Sequence, residues 1–142
     1  MTERFGGMVE VRSAYRSQDV PVFFRMLDKD SHWSYENGLR SVIPTALFMG
    51  IIGYPFILPD MIGGNGYGDN EPLRTTAIPD RELFVRWLEL NAFLPSMQFS
   101  IVPWQYDDEV VKIAGKFVRL HESFVAPEII KAAEHTLKTG NR

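Results

Sequence analysis

The stretch PVFFRMLDKDSHWSYENGLRSVIPTALFMGIIGYPFILPD, residues 21–60, contains two short apolar runs separated by a longer segment. The runs PVFFRML (21–27) and PFIL (55–58) are short and apolar, as buried parallel strands are, and the segment Leu39–Ile52 between them is predicted to be a helix. A strand, a helix and a second strand in succession form the unit from which α/β proteins are built. The stretch therefore predicts an α/β fold.

The same alternation extends to both sides of this stretch. A further strand is predicted before it, at Val9–Tyr15 (VEVRSAY), and a fourth after it, at Met97–Val102 (MQFSIV). Helices are predicted at residues 81–93, 108–124 and 126–140, and aspartates suited to cap them precede the first two. The pattern gives about four parallel strands with their helices in one domain, residues 1–142, with no second domain. Four strands are too few to close an eight-stranded barrel.

The composition and motifs argue against nucleic-acid binding, disulfides, nucleotide binding and metal binding. A formal net charge of −3 over 142 residues, without a basic face or a run of Lys and Arg, gives no electrostatic basis for binding nucleic acid. The chain has no cysteine, which excludes disulfides and thiolate metal sites. The glycine-rich loop GGNGYG (63–68) lacks the lysine of a phosphate-binding loop, and three histidines lack metal-ligand spacing: His32, His121 and His135. We expect no metal and no other cofactor.

One uncharged run must be weighed as a membrane span. Residues 42–59 are 18 residues without a charge, close to the roughly 20 that cross a bilayer. Prolines and glycines interrupt the run, and Gly53–Pro55 divides it into a helix and a strand that suit the interior of an α/β protein. We therefore expect no membrane-spanning segment. The first residues, MTERFGG, have charges and glycines where a secretion signal has an apolar core, so no such signal is expected in the sequence.

Polar residues follow the predicted strands, at the strand ends where α/β proteins assemble their active sites. Asp28 and Asp30 lie beside Lys29 at the end of the second strand, and Asp60 directly follows the third. A carboxyl group in such a position suits catalysis when burial and neighbouring charges set its protonation. The alternative is that Asp28 and Asp30 stabilise a turn and that Asp60 fixes a loop, and the spacing alone leaves both readings open.

Arg12 and three aromatic residues are further candidates. Arg12 lies within the apolar strand VEVRSAY, where a charge is costly unless it is paired or lies at the mouth of the strand. It is suited either to hold a polar ligand or to form a structural ion pair. Trp87, Trp104 and Tyr106 have flat faces that could pack on a sugar ring, but aromatic side chains more often fill a core.

Three runs of the sequence together resemble a known family. They are RSAYRSQDVPVFFRMLDKDSHW (12–33), IPTALFMGIIGYPFILPDMIGG (43–64) and ELFVRWLELNAFLPSMQFS (82–100), and their order is the specific feature. In this order they resemble family 31 of the glycoside hydrolases, the retaining α-glucosidases and α-galactosidases. The resemblance covers residues 9–124, nearly the whole chain. It implies a carbohydrate substrate and, for the fold, the C-terminal half of a TIM (β/α)8 barrel, with strands five to eight and their helices.

The resemblance also implies roles for individual residues. The family's substrate-binding arginine precedes its acid/base aspartate by 16 positions, and Arg12 and Asp28 have this spacing. A tryptophan five residues after the acid/base is matched by Trp33. Asp60 matches an aspartate that follows the family's seventh strand and helps to shape the sugar pocket. Asp28 is thus implied as the catalytic acid/base, and the other three as substrate-binding residues.

The chain departs from the family pattern within the sugar-contacting residues. Arg25 stands where many members have a pocket tryptophan, Leu27 where many have glycine, and Asp30 where another aromatic residue is common. Residues Gln98, Phe99 and Ser100 replace an arginine, an asparagine and a histidine of the common α-glucosidases. The α-glucosidase specificity therefore does not carry over, and an α-galactoside or another α-linked glycan is also a candidate substrate.

The second carboxyl group of a retaining glycosidase is missing from this pattern. The mechanism needs two carboxyl groups about 5 to 5.5 Å apart. In this family the nucleophile lies upstream of the arginine that Arg12 matches. Eleven residues precede Arg12, and they contain no motif that resembles the family's nucleophile. We therefore expect the chain alone to be inactive as a hydrolase, since an acid without its nucleophile forfeits the covalent route.

The alternative function is that of a non-catalytic protein, derived from a glycosidase barrel, that acts through binding or in regulation. Half of a barrel has two unpaired sheet edges and uncovered apolar strands, which favours self-association or docking with a complementary half. The sequence does not fix the compartment. The resemblance implies the endoplasmic reticulum, the cell surface or the extracellular space.

Overall fold

The computed structural model describes residues 9–66 and 78–140, so the N-terminal run MTERFGG and the last two residues of the loop GGNGYG lie outside the described residues. Three short strands form a parallel sheet: Glu10–Val11 (β1), Phe23–Arg25 (β2) and Ile57–Leu58 (β3), in that order. Glu10 pairs with Phe23 and Phe24 pairs with Ile57. All three strands therefore end at the same edge of the sheet, in agreement with the predicted α/β fold.

The strands are shorter than the sequence pattern predicts. The strands expected at residues 9–15 and 21–27 keep only two and three strand residues, respectively. The prediction of a fourth strand at Met97–Val102 is wrong for the described chain, because this segment forms only one parallel bridge, between Gln98 and Met61. Pairing of the 97–102 segment does not continue from Met61 to β3, because two residues between them interrupt the strand. Pro59 has no N–H to donate, and Asp60 has a left-handed backbone with φ 73°.

The uncharged run at residues 42–59 folds as a helix followed by β3. A 3-10 turn, Leu39–Ser41, leads into α1, Val42–Ile51. Gly53 then takes a left-handed backbone, with φ 91°, which suits glycine because it has no Cβ. The predicted division of this run into a helix and a strand is confirmed. Among the described residues, every helix is too short or too polar to cross a bilayer.

Helix α2, Arg81–Asn91, supplies the largest share of the core. Asp80 caps its first turn by accepting a hydrogen bond from the backbone N–H of Leu83, as predicted. Its buried side chains include Leu83, Phe84, Trp87 and Leu88. These pack in one cluster with residues from the neighbouring elements, namely Val42, Ile57, Ile62 and Val110. The helix is therefore held against β3 and against the loop that follows it.

The end of the chain forms one helical rod that contains a π turn. Helix α3 spans Asp108–Leu120, and the Asp107 carboxylate caps it at 2.8 Å from the N–H of Val110. A π turn, His121–Val125, joins it directly to α4, Ala126–Thr139. Separate helices were predicted at residues 108–124 and 126–140, and the structure shows no interruption between them. Pro127 cannot donate to the preceding turn and its ring crowds that turn, so the wider π turn lies where the helix must accommodate a proline.

Side chains of the sheet alternate between two faces. Phe24 and Ile57 point to the face covered by helices, where Ile57 packs in the main core and the Phe24 ring lies on the Tyr54 ring, with centroids 4.6 Å apart. On the opposite face, which we call the inner face, a cavity of about 400 Å³ is lined by side chains that include Glu10, Phe23, Leu58 and Gln98. Arg25, two residues after Phe23, shares the inner face, and so does Arg12, two residues after Glu10.

Candidate functional site

Charged side chains from all three strand ends meet at one edge of the inner face. Arg12 directly follows β1, Arg25 ends β2, and Asp60 follows β3. Arg12 contacts Oδ1 of Asp28 through its Nη2. Arg25 Nη2 lies 2.6 Å from Oδ1 of Asp60 and 3.9 Å from Oδ1 of Asp28. With Glu10, these residues form what we call the inner-face cluster, which contains three of the four site residues that the sequence indicates.

The two carboxylate oxygens of Asp28 have different surroundings. Both guanidinium groups approach Oδ1, whereas Oδ2 has no hydrogen-bond partner within residues 9–66 and 78–140. The side chain is 35% exposed. Asn37 Nδ2 donates to the backbone carbonyl of Asp28 at 2.6 Å, which fixes the main chain beneath the carboxylate. The carboxylate is therefore accessible to a molecule bound at this edge.

Asp60 has no free capacity for a ligand. It is 0% exposed, and its carboxylate accepts four hydrogen bonds. Arg25 donates twice to Oδ1, at 2.6 and 2.9 Å, while the Lys29 backbone N–H and Asn65 Nδ2 each lie 2.8 Å from Oδ2. Four donors match the roughly four lone-pair positions of a carboxylate. The buried carboxylate therefore fixes the positions of Arg25, the Lys29 backbone and Asn65.

Asp30 has surroundings different from those of Asp28. Its Oδ2 accepts a hydrogen bond from Asn37 Nδ2 at 3.2 Å and lies 3.8 Å from His32 Nε2. Its backbone N–H donates to the Asn37 carbonyl, so the loop from Asp30 to Asn37 is closed on itself. The turn-stabilising alternative thus describes Asp30, whereas Asp28 faces the arginines.

Lys29 is a buried cation that the sequence reasoning missed. Its side chain is 3% exposed, and its Nζ donates to Ser41 Oγ at 2.9 Å. Burial lowers the pKa of Lys29, and the negative charges of Asp60 and Asp30 only partly oppose this effect. A lysine between two aspartates is typical of a solvated turn, so the local pattern carried no sign of this burial.

Arg25, Glu10 and Gln98 form a second group; the sequence indicated Arg25 and Gln98 only as departures at sugar-contacting positions and did not single out Glu10. Arg25 Nη1 lies 3.4 Å from Glu10 Oε1, and Gln98 Nε2 donates to Glu10 Oε2 at 3.0 Å. Burial would lower the pKa of Arg25, but the hydrogen bond to Asp60 and the charges of three carboxylates raise it above its ordinary value. The available signal was a charge inside an apolar strand, the argument that selected Arg12.

The aromatic candidates lie in different environments. Trp33 is 39% exposed, in the loop after Asp28, and within the described chain no hydrogen bond or ring contact joins it to the inner-face cluster. Trp87 is in the core, and Tyr106 lies on Phe84 with ring centroids 4.7 Å apart while its hydroxyl donates to a backbone carbonyl. Trp104 is exposed beside α3. The core alternative is therefore correct for Trp87 and Tyr106.

The described residues contain no group of three or more side chains arranged to hold a metal ion. His121 Nδ1 lies 3.0 Å from the Ala92 carbonyl, and His32 Nδ1 lies 3.0 Å from Ser34 Oγ. These two imidazoles serve local structure.

Comparison with known proteins identifies the family. Residues 7–126 match the family model for the glycosyl hydrolases family 31 TIM-barrel domain. The chain is 53% identical over 142 residues to the myogenesis-regulating glycosidase of Mus musculus, covering 99% of this chain and 20% of that protein. It is 38% identical over 138 residues to the SITS-binding protein of Tetronarce californica, covering 96% of this chain and 19% of that protein. It is 28% identical over 120 residues to the sulfoquinovosidase of Escherichia coli (strain K12), covering 80% and 16%, respectively.

The matched region includes the whole inner-face cluster, from Glu10 to Asp60. The chain spans about a fifth of the length of the first two relatives. The family resemblance seen in the sequence is confirmed, and the parallel sheet with its helices agrees with an α/β barrel domain. The chain belongs to family 31 of the glycosyl hydrolases and carries sequence of that family's TIM-barrel domain.

Proposed function

We propose that the chain is the C-terminal half of the barrel of a retaining α-glycosidase and that Asp28 is its acid/base. The observation that carries this proposal is the state of the Asp28 carboxylate at the carboxyl edge of a parallel sheet, where arginine holds Oδ1 and no described residue donates a hydrogen bond to Oδ2. In this assignment β1, β2, β3 and the segment bridged at Gln98 correspond to barrel strands five to eight. The substrate is a terminal α-glucoside or α-galactoside.

The other site residues have separate roles in this proposal. Oδ2 of Asp28 carries the proton that is donated to the glycosidic oxygen as the bond breaks. Arg12, which is half exposed, orients Asp28 and offers further N–H groups to sugar hydroxyls. Trp33 offers an exposed ring face on which a sugar can pack. Asp60 shapes the pocket from beneath by fixing the backbone of Lys29.

We infer that the chain alone binds a sugar without hydrolysing it. A retaining mechanism needs a free carboxylate about 5 to 5.5 Å from the acid, to attack the anomeric carbon. Asp60 has both oxygens occupied, and the Glu10 carboxylate is bonded to Arg25 and Gln98. Neither is free to form a glycosyl ester. Within residues 9–66 and 78–140, neither carboxylate beside Asp28 is thus available as the nucleophile, which supports placing it in the preceding part of the barrel, as the family resemblance implies.

The test uses N-bromoacetyl galactosylamine and N-bromoacetyl glucosylamine, which bring a reactive carbon near the position of the leaving oxygen. A carboxylate oxygen of Asp28 displaces bromide and forms an ester, which mass spectrometry locates. We expect esterification of Asp28 at a rate that saturates with probe, that excess methyl α-glycoside inhibits, and that Asp28→Asn abolishes. Aryl α-glucosides and α-galactosides should not be hydrolysed by the chain.

Three results would contradict this proposal. Hydrolysis that is lost in Asp28→Asn would show that the chain contains a complete catalytic pair. Esterification at Asp30 in place of Asp28 would move the acid/base by two residues. A folded chain that neither probe labels in a saturable manner would not be a sugar-binding segment.

A second candidate function is binding without catalysis. One relative, the SITS-binding protein, is named for binding. Helix α1 also leaves large apolar side chains exposed, namely Ile43, Leu47, Phe48 and Ile51. An apolar surface of this kind favours contact with another protein surface. This candidate predicts self-association that persists in Asp28→Asn and no saturable sugar labelling.

A further inference from the structure

We propose that Arg25 is a positioning residue for Asp28. Its half-buried guanidinium connects Asp60 and Glu10 to Asp28 and, together with Arg12, holds Oδ1 so that Oδ2 faces the sugar. This inference rests on the proposed function and names the residue that sets the geometry of the same site.

The geometry around Arg25 is that of a fixed bridge. Its Nε and Nη2 donate to the same oxygen of Asp60, at 2.9 and 2.6 Å, and its Nη1 lies 3.4 Å from Glu10 Oε1. A guanidinium is planar, so three contacts on two carboxylates determine the direction of every N–H group. With that plane fixed, Nη2, which donates to Asp60, also lies 3.9 Å from Oδ1 of Asp28, within range of an ion pair but not of a hydrogen bond. Arg25 is therefore oriented by its other partners before it acts on Asp28.

The anchor of this bridge, Asp60, is held from several sides. Asp60 is fully buried, and its carboxylate is held from the other side by the Lys29 N–H and by Asn65. Asn91 Nδ2, at the end of α2, lies 3.4 Å from the Asp60 backbone carbonyl. Asp60 thus restrains Asp28 in two ways. It holds the backbone of the adjacent Lys29, and it orients the Arg25 guanidinium that lies near Asp28.

Arg25 acts through Asp28 because it has little access to a ligand. Its side chain is 14% exposed, and its N–H groups are directed at Asp60 and Glu10. Three carboxylates surround it, and they keep its pKa above the ordinary value after the opposing effect of burial. It therefore stays charged over the pH range in which proteins fold. Loss of this charge would leave Asp28 oriented by Arg12 alone and Asp60 buried without its counter-ion.

The experiment measures the two kinetic constants of labelling by the bromoacetyl glycosylamine probe, KI for recognition of the sugar and kinact for the reaction of Asp28. In Arg25→Met we expect kinact to fall by about tenfold to a hundredfold, the loss typical of a group displaced by about 1 Å. KI should change little, because Arg25 does not contact the sugar. Arg25→Lys keeps the charge but not the planar fork, and should recover part of kinact.

The matched control is Arg86→Met, which removes an exposed arginine paired with Glu82 and Glu89 on α2, away from the cluster. It should leave both constants unchanged. Wild-type values of kinact in Arg25→Met would overturn the proposal, and so would a change confined to KI, which would make Arg25 a sugar contact. If Arg25→Met does not fold, Arg25→Lys and Glu10→Gln replace it in the test. Both variants should lower kinact, because each weakens the contacts that orient the Arg25 guanidinium. Wild-type kinact in both variants would reject the positioning role.

A sugar-free reaction separates this inference from the proposed function. Carbodiimide-activated coupling of an amine to Asp28 reports the freedom of its carboxylate even in a chain that recognises neither probe. Without Arg25 the carboxylate loses one of the two cations that restrain it, so coupling at Asp28 should be several-fold faster in Arg25→Met than in wild type or Arg86→Met. Equal coupling rates in all three proteins would reject the positioning role, whatever the sugar probes show.

Discussion

Gly64 lies where the loop after β3 touches the segment that carries Asp28. Its backbone has φ 76°, a left-handed conformation that favours glycine. A Cβ at this position would lie 2.9 Å from the Asp30 carbonyl carbon and 2.9 Å from Ser31 Oγ. The next residue, Asn65, donates its N–H to the Lys29 carbonyl at 2.8 Å. The close approach of the two loops therefore depends on the absence of a side chain at residue 64.

Replacement of this glycine should loosen the site, whereas replacement of a helical glycine should not. In Gly64→Ala we expect the free energy of unfolding to fall by more than about 1 kcal/mol, from backbone strain and the clash with the Asp30 backbone. In Gly50→Ala, on α1, the added Cβ has no atom within 4 Å, so stability should rise by about 0.4 to 1 kcal/mol. Urea unfolding measures both, and equal changes would contradict the argument.

Lys29 should make stability depend on pH. Burial lowers its pKa in the folded chain below the ordinary value of 10.5. Between the lowered pKa and 10.5 the unfolded chain binds more protons, so the free energy of unfolding rises with pH across that window. Below the lowered pKa both states bind the proton and this contribution is constant.

The measurement is urea unfolding at a series of pH values below about 10, the ordinary pKa of tyrosine. Above that value the raised pKa of Tyr106, caused by burial and by Asp80, acts in the opposite direction. The rise should be absent in Lys29→Met and present in Lys131→Met, which removes an exposed lysine. A rise of the same slope in Lys29→Met would show that another group causes it.

At the scale of elements, α2 connects the core to the site. Its apolar face packs on β3 and α1, and Asn91 at its C-terminal end lies against the Asp60 backbone. Its N-terminal end is capped by Asp80. The helix therefore supplies the largest share of the core packing and also supports the backbone of Asp60, the buried member of the inner-face cluster.

Loss of this cap should be measurable apart from the site chemistry. Asp80→Ala removes the acceptor of the Leu83 N–H and should lower the free energy of unfolding by about 1 kcal/mol. Asp80→Asn retains a side-chain acceptor and should stay close to wild type. Thermal unfolding followed by circular dichroism compares the two, and equal losses would assign the effect to the charge of Asp80.

Helices and strands differ in how well the sequence predicts their limits. The start of α2 and the start of α3 are predictable because each depends on a capping aspartate and on spacing within a few residues. The strands are predicted too long, and the fourth is reduced to a bridge, because pairing depends on a partner distant in sequence. The sequence pattern separates α3 from α4, but in the structure a π turn at His121–Val125 joins them, and such a turn has no signature in local residue spacing.

At the scale of the whole molecule, β1 has a single neighbour in the described sheet, β2. The inner face contains an open cavity of about 400 Å³, and apolar side chains of α1 are exposed. An unpaired edge and an exposed apolar face both favour pairing with another chain.

We therefore predict that the isolated chain self-associates. Size-exclusion chromatography with light scattering should give a mass above 16.3 kDa that rises with concentration. Leu47→Glu, on the exposed face of α1, should lower the association, whereas Leu137→Glu, at a similarly exposed leucine on α4, should not. A compact monomer at all concentrations would exclude self-association through these surfaces.

The sequence predicts the α/β class, the family and the capped helices, and the family resemblance implies Asp28 as the acid/base through its spacing from Arg12 and Trp33. These follow from residues that are near one another along the chain or from the order of motifs. The tertiary structure decided which charges meet, since Arg25 and Asp60 are 35 positions apart and Gln98 and Glu10 are 88 apart. It also decided that Asp60 and Lys29 are buried. Burial and ion pairing depend on distances in space, which local spacing does not encode, and so the cluster that holds Asp28 emerged only once the strands were brought side by side.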